Sequence, residues 1–407
     1  MESLVNRCIC CYLGICLTFW SSLLSASCID VMDYKAACDG TTDDSVPLQD
    51  AVLAAELIVN FNSMACISVP DGRTCTYSQP LQVLNVEQRL GPGSLTIQSS
   101  GGANTYYGGG ILAYTGHGNA IEVDRSGVGN GLAFHLSGIT LTCWLPWNQN
   151  TCQSLVYVGK TYGPVELDHV FLDGGHNSLT GVGSDGALDG VYCDGCAIQV
   201  NISNSFIINM RRSGVRLLRT TNATIDKTQI FDVIEGVYIS GSGPVGLDHL
   251  YVEEALFGVE VTNEAYWTYN KVHISNSEFN LSRLPPYFGG VPSKAQRCLL
   301  VTNTTSTLSM GAEVTFNDNK CNLSDGYVFG NAGIAPYGIE LKLNENRAFT
   351  VDLSVRDNHF VGMTKSAIYR SSYRAKIHFD DTNYASSSYP ADGIGKPIPL
   401  VSTSNGN

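Results

Sequence analysis

Charge is what this sequence has least of. Only 15% of its 407 residues are Asp, Glu, Lys or Arg, low for a bundle of helices and ordinary for a stack of short strands. Positive charge is scarcer still: 24 Lys and Arg stand against 37 Asp and Glu, a formal net charge of −13. Nucleic-acid binding needs a basic footprint, so nucleic acid is excluded as a partner. A polyanionic glycan is not excluded, because a local basic patch can dominate its own groove. Long hydrophobic runs are missing too, save one from Ile9 to Leu24 behind Arg7. It is short for a membrane crossing of ~20 residues and ends in the small residues Ser25-Ala26-Ser27. Residues 1–27 therefore read as a cleaved secretory signal. A retained signal anchor, with Cys8, Cys10 and Cys11 open to palmitoylation, is the alternative.

Glycine, tyrosine and cysteine are plentiful, at 42, 20 and 14 residues. The chain is longer than the ~250–300 residues at which a single core stops growing. It is either two domains or a repeat whose core lengthens without thickening. Ten cysteines follow the leader: Cys28/Cys38, Cys66/Cys75, Cys143/Cys152 and Cys193/Cys196 in clusters, with Cys298 and Cys321 over. An even count at short separations points to local disulfides in an oxidising compartment. Cys193-Asp-Gly-Cys196 has no second Cys or His pair at metal-site spacing, which disfavours zinc. Five sequons, at Asn201, Asn222, Asn280, Asn303 and Asn322, fit a secreted or cell-surface glycoprotein.

The repeat is legible in three successive segments, Ile202-Ser-Asn-Ser-Phe-Ile207, Ile225-Asp-Lys-Thr-Gln-Ile230 and Leu247-Asp-His-Leu-Tyr-Val252. Each leads into a Gly-Val-x-apolar run beginning at Gly214, Gly236 or Gly258, so the glycines recur every 22 residues. Apolar residues alternate over short strands with polar turns between them, and a period of this length marks a solenoid. The template extends upstream to Leu136 and Leu167 and downstream to Ile274, Phe316 and Val355. Asp168, His169, Asp226 and His249 occupy the turns, where such residues bond their own backbone, and read as structural.

The stretch from Asp30 to Ala51, with Asp39-Gly-Thr-Thr-Asp-Asp44 and Leu48-Gln-Asp-Ala51, resembles the opening motif of the pectate-lyase superfamily. That superfamily holds polysaccharide lyases, glycoside hydrolases and phage tailspike depolymerases. Ile67-Ser-Val-Pro-Asp-Gly72, Tyr77 and Pro80-Leu81 resemble its next strand and turn. The resemblance implies an all-β, right-handed parallel β-helix over residues 28–383, with an N-terminal cap at about 29–82 whose helix plugs the first coil; residues 384–407, rich in Ser, Pro and Gly, read as a flexible tail. Asp43 or Asp44 would cap that helix, with Leu48, Ala51, Val52 and Ala55 on its inner face. Lys35 and Cys38 replace the usual glycines, so a disulfide is expected to brace the turn. Gly116-His-Gly118, Asp380-Asp381 and Arg374-Ala-Lys376 stand in the wrong order for a polygalacturonase, which is rejected.

Insertions locate the candidate site. Cys143 to Cys152 (with Trp144 and Trp147), Gly174 to Asp189, and Leu281 to Gln296 all leave at one coil position, while the coils between are compact. Walls around a floor suit an extended glycan. Register places Phe171, Phe206, Gln229, Tyr251 and Glu278 in one outward column, and Asp173, Ile208, Phe231, Glu253 and Asn280 in the next. Asn209, Asp232 and Glu254 fall on the turn beyond, and Tyr192, Arg216, Tyr238 and Glu260 on the Gly-Val strand. The catalytic candidates are Asp232, Glu253 and Glu254, with Asp173 and Glu235 in reserve: one general acid, one base or nucleophile. Phe206, Phe231, Tyr251, Tyr238, Arg216, Trp144 and Trp147 are the candidate sugar contacts. A glycoside hydrolase is the leading expectation. The alternatives are a non-catalytic, tailspike-like glycan-binding or adhesion protein, and a lyase or C5-epimerase on uronates using Arg211, Arg212, Arg216, Arg219 and His176. No cofactor is required, although stacked acids could take Ca²⁺. A homotrimer is compatible with such a spike.

Overall fold

The computed structural model describes residues 28–59, 64–84, 93–101, 109–123, 132–143, 152–161, 163–175, 186–196, 199–263, 269–281, 296–303, 311–323, 336–344, 349–363, 365–386 and 398–403. Every strand pairing is parallel, each strand lying on its counterpart one coil away. The first face of the coil is a 12-stranded sheet. The remaining strands form a second and a third face. These are one hydrogen-bonded sheet, because Gln229–Ser240 and Tyr251–Thr262 run unbroken across the corner between them. Among the described residues no helix is long and apolar enough to cross a membrane.

Alternation explains which side chains form the core. In Val200–Ser203, Val200 and Ile202 are buried while Asn201 and Ser203 are not. Register then stacks Ile202 on Ile225, Leu247, Ile274, Phe316 and Val355. Across the core, the Phe316 ring packs 5.8 Å from Phe279 and 6.1 Å from Phe360 of the second sheet. The core is a column running the length of the molecule.

The 22-residue glycines line up one above another. Gly190 precedes Gly214, Gly236 and Gly258 in the same register. At Gly236 a Cβ would lie 2.4 Å from the Gly258 carbonyl oxygen and 2.9 Å from Val252 Cγ1. The third sheet turns in here against the side chains of the second, and only a missing side chain permits the approach.

The corner between the first and second sheets is tight and repeats one conformation. Gly138, His169, Asn204, Lys227, His249, Asn276, Asp318 and Asp357 all have φ between 47 and 61°. Around it the polar residues read as structural form ladders. Asp168 accepts hydrogen bonds from Ser203 and Asn204 of the next coil at 2.7 and 2.9 Å, and Asp248 does the same with Ser275 and Asn276, both at 2.8 Å. Burial raises the Asp168 carboxyl pKa, but bonds from Asn204, Ser203 and His169 outweigh it and hold the group below the usual range. Further along, the buried Asn319 accepts from the Ser277 N–H at 3.0 Å and donates to the Ile274 carbonyl at 3.1 Å.

The N-terminal cap has the expected helix, Ser45–Val59, with Leu48, Ala51, Val52 and Ala55 buried. Asp43 accepts from the Ser45 N–H at 3.0 Å. Asp44 instead turns back to clamp the N–H groups of Ala37 and Cys38, at 2.6 and 3.0 Å. Lys35 and Cys38 adopt the left-handed conformation that glycine would have filled, and a disulfide braces the turn. The pairing corrects the local reading of the cysteines: Cys28 bonds Cys66 and Cys38 bonds Cys75, across coils, and Cys298 bonds Cys321. Stacking makes residues 37 or 38 positions apart neighbours, so proximity in sequence was the wrong guide. Cys143 and Cys152 do meet, with thiols in hydrogen-bond contact, as do Cys193 and Cys196. Beyond Phe379, Tyr384–Ser386 and Val401–Thr403 add strands to the second and third faces.

Gly236→Ala should destabilise the protein by about 1–3 kcal/mol in denaturant unfolding. Gly246→Ala, where a Cβ meets nothing within 4 Å, should stay within about 0.5 kcal/mol of the parent. Asn319→Leu should cost about 1–3 kcal/mol for each backbone group left unpaired at Ser277 and Ile274, measured the same way.

Candidate functional site

The described flanks show where the chain leaves the coil. Between the second and third sheets it departs after Cys143, Gly175, Leu281 and Leu323 and returns at Cys152, Gly186, Gln296 and Pro336. Between the third and first sheets it departs after Val123, Asn263, Asn303 and Asn344. The third sheet therefore lies between two loop-bearing corners, and residues 199–263 cross it without insertion at the first of them. Trp144, Trp147 and His176 fall on the inserted segments and lie outside the described residues.

On the second sheet the columns stand as the alternation predicts. Phe171, Phe206, Gln229, Tyr251 and Glu278 are in register, as are Asp173, Ile208, Phe231, Glu253 and Asn280. The aromatic rings step diagonally from one column to the other. Phe171 stacks on Phe206 at 5.3 Å, Phe206 lies 4.9 Å from Phe231, and Phe231 lies 5.5 Å from Tyr251. Tyr251 donates its hydroxyl proton to Glu253 at 2.9 Å, which ends the aromatic strip on a carboxylate.

The corner beyond carries Asn209, Asp232 and Glu254, one above another on successive coils. All three have left-handed backbones, with φ of 59, 52 and 54°. Asn commonly adopts this conformation and Glu rarely does, so Glu254 stands where local preference would not put it. Asp173 sits at the edge of this row, accepting from Asn209 Nδ2 at 2.8 Å and the Gly175 N–H at 2.9 Å.

The third sheet carries the predicted column Tyr192, Arg216, Tyr238 and Glu260. It also carries a second column that the sequence reading missed: Asp189, Ser213, Glu235, Phe257 and Arg297. Its signal was present, since the first four are the residues immediately before the recurring glycines. Asp189 is 1% exposed and paired with Arg212, whose Nε is 2.9 Å from Oδ1. Ser213 donates to Glu235 at 2.6 Å, and Arg216 Nη1 lies 3.5 Å from the same carboxylate while its guanidinium covers the Tyr238 ring at 3.7 Å. Burial raises the Glu235 pKa, and the Ser213 hydroxyl and Arg216 offset this only in part. Tyr238 and Arg216 point outward from the coil yet are only 3% and 9% exposed, because they lie against each other and their neighbours, while Tyr192, Glu235 and Glu260 remain half-buried.

The structure thus gathers Asp173, Asp232, Glu253 and Glu254 at the second sheet and its corner, and sets Glu235 around that corner among Arg212 and Arg216. Adjacent coils are ~4.8 Å apart, so acids one or two coils away span the separations that acid–base pairs use. As a metal site the best cluster among the described residues is Asp226, Asp248 and His249, whose donor atoms lie within 4.8 Å of one another. It lies at the first corner, His249 Nδ1 is already 2.9 Å from Asp248, and a His donor does not suit Ca²⁺.

The sequence matches no family model and no curated protein. Solved structures do match. The catalytic unit of a thermostable GH87 α-1,3-glucanase from Streptomyces thermodiastaticus superposes with a TM-score of 0.52 at 11% identity, over 91% of this chain and 72% of that one. Pre-mature gene product 12 of bacteriophage phi29 superposes with a TM-score of 0.52 at 14% identity, over 96% of this chain and 56% of that one. At such identities the likeness is one of fold, and together with the all-parallel coils it makes this chain a right-handed parallel β-helix.

Proposed function

We propose that the protein is a secreted enzyme that hydrolyses a polysaccharide lying along the side of the helix, using an acid pair. The observation that carries this reading is the row of carboxylates on the uninserted coils, in register beside the diagonal of aromatic rings. Ring faces stack on the C–H faces of sugars, and carboxylates take their hydroxyls. The fold neighbour that acts on an α-1,3-glucan supports a glycan as substrate, and the disulfides support an oxidising, extracellular compartment.

The environments of the acids divide the work. Glu235, its pKa raised by burial, holds a proton at higher pH than an ordinary Glu and suits the general acid. It would protonate the glycosidic oxygen as the bond from the anomeric carbon to that oxygen breaks. Asp232 or Glu254, on the corner row, would take a proton from the water that adds to the anomeric carbon. Arg216, 3.5 Å from Glu235, would stabilise the carboxylate left behind. A non-catalytic glycan-binding protein is the second reading, favoured by the aromatic strip, which needs no acid to bind a chain.

Incubation with a panel of polysaccharides should release new reducing ends. Asp232→Asn and Glu254→Gln should each lower turnover, the one serving as base by about 100-fold or more. Unchanged turnover in both would remove them from the mechanism. Activity should fall as pH rises through the Glu235 pKa, because the donor loses its proton there. Glu235→Gln should abolish activity across the pH range while the variant keeps its far-UV circular dichroism. Retention of glycan without any cleavage would leave the binding reading.

A further inference from the structure

Resting on that glycan reading, we propose that the site selects a neutral polysaccharide and discriminates against polyuronates. The arginines on and beside the third sheet already have partners within the protein. Recognition of a uronate carboxylate wants a guanidinium with its fork of donors open. On this face the forks are engaged within the protein: Arg211 and Arg370 donate to the backbone carbonyls of Gly186 and Ala375, at 2.9 and 3.2 Å, and the others meet carboxylates. Arg212 grips Asp189 through two nitrogens, with Nε 2.9 Å from Oδ1. Arg297 places Nε 2.8 Å from Glu340 and donates again to the Gln296 carbonyl at 2.6 Å. Arg219 is paired with Asp194, with Nε 3.1 Å from Oδ1. Arg216 lies flat on Tyr238 with Glu235 at its edge.

A uronate entering this face would have to displace one of these internal carboxylates. At Asp189, which is 1% exposed, displacement would leave a charge buried without its partner, an outcome strongly disfavoured in a poorly solvated place. On the neighbouring second sheet the described cation Lys320 is already paired with Glu278, at 2.6 Å, and the coils before it present acids. Asp173 and Glu253 are held by the neutral donors Asn209 and Tyr251, and Asp232 and Glu254 stand beside them. A polyanion laid along the aromatic strip would meet this row of like charge. A neutral chain meets acceptors for its hydroxyls and rings for its C–H faces.

Affinity electrophoresis of the full-length protein would test this, in gels cast with neutral glucans, mannans or xylans and with polygalacturonate or alginate, at low and high salt. At least one neutral polymer should retain the protein about tenfold more strongly than either polyuronate, with little dependence on salt. Asp194→Asn, which leaves Arg219 without its carboxylate and touches none of the proposed catalytic groups, should raise polyuronate retention severalfold and leave neutral retention unchanged. Stronger retention by a polyuronate than by every neutral polymer, lost at high salt, would overturn the proposal, as would an Asp194→Asn variant with unchanged polyuronate retention. If no polymer retains the protein and none is cleaved, the glycan reading itself falls, and this inference with it.

Discussion

Close, in-register contact between successive coils is the constraint on which everything else in this molecule depends. Each strand satisfies its backbone by bonding the strands above and below, which locks every residue over its counterpart one coil away. The glycine column from Gly190 to Gly258 makes the contact close enough. Where the third sheet bends inward, a single Cβ at Gly236 would press into the backbone of Gly258 and the side chain of Val252. Pushing one coil off register would scatter the columns of acids and rings along the outside.

The corners carry out different tasks with the same backbone device. Between the first and second sheets, left-handed residues recur coil after coil and the polar side chains around them bond upward and downward, as Asp168 and Asn319 do. This corner is spent on holding the stack together. Between the second and third sheets the left-handed residues are Asn209, Asp232 and Glu254. A backbone requirement that glycine or asparagine would meet more easily is filled there by carboxylates, and the coils on either side send out insertions. A strained acid at the edge of a floor is where function is expected to override local preference.

Around that corner the third sheet has a different electrostatic character. Its Arg212, Arg216 and Arg297 face carboxylates of the same protein, and Tyr238 lies buried beneath the Arg216 guanidinium. Burial beside Arg216 and Ser213 sets Glu235 apart from the acids of the corner row. In the proposed mechanism this difference in surroundings is what separates the proton donor from the proton acceptor.

Much of this was legible in the residues themselves. The 22-residue glycine period, the alternation in Ile202–Ile207 and its repeats, and the helix-spaced face of Leu48, Ala51, Val52 and Ala55 determined the coil, the register of the outward columns and the cap, because each rests on local spacing. The residues preceding the glycines carried the Asp189–Ser213–Glu235 column just as plainly, but a strand pattern does not say which outward residues will be covered. Only the tertiary structure decided that Cys28 meets Cys66 and Cys38 meets Cys75, that Asp44 clamps the preceding turn and leaves Ser45 to Asp43, and that Arg212, Arg216 and Arg219 each find a carboxylate. Those contacts join residues brought together by the stacking and by side-chain reach, and their partners depend on how many residues each coil contains and on which way a side chain turns at a corner, neither of which a local period encodes.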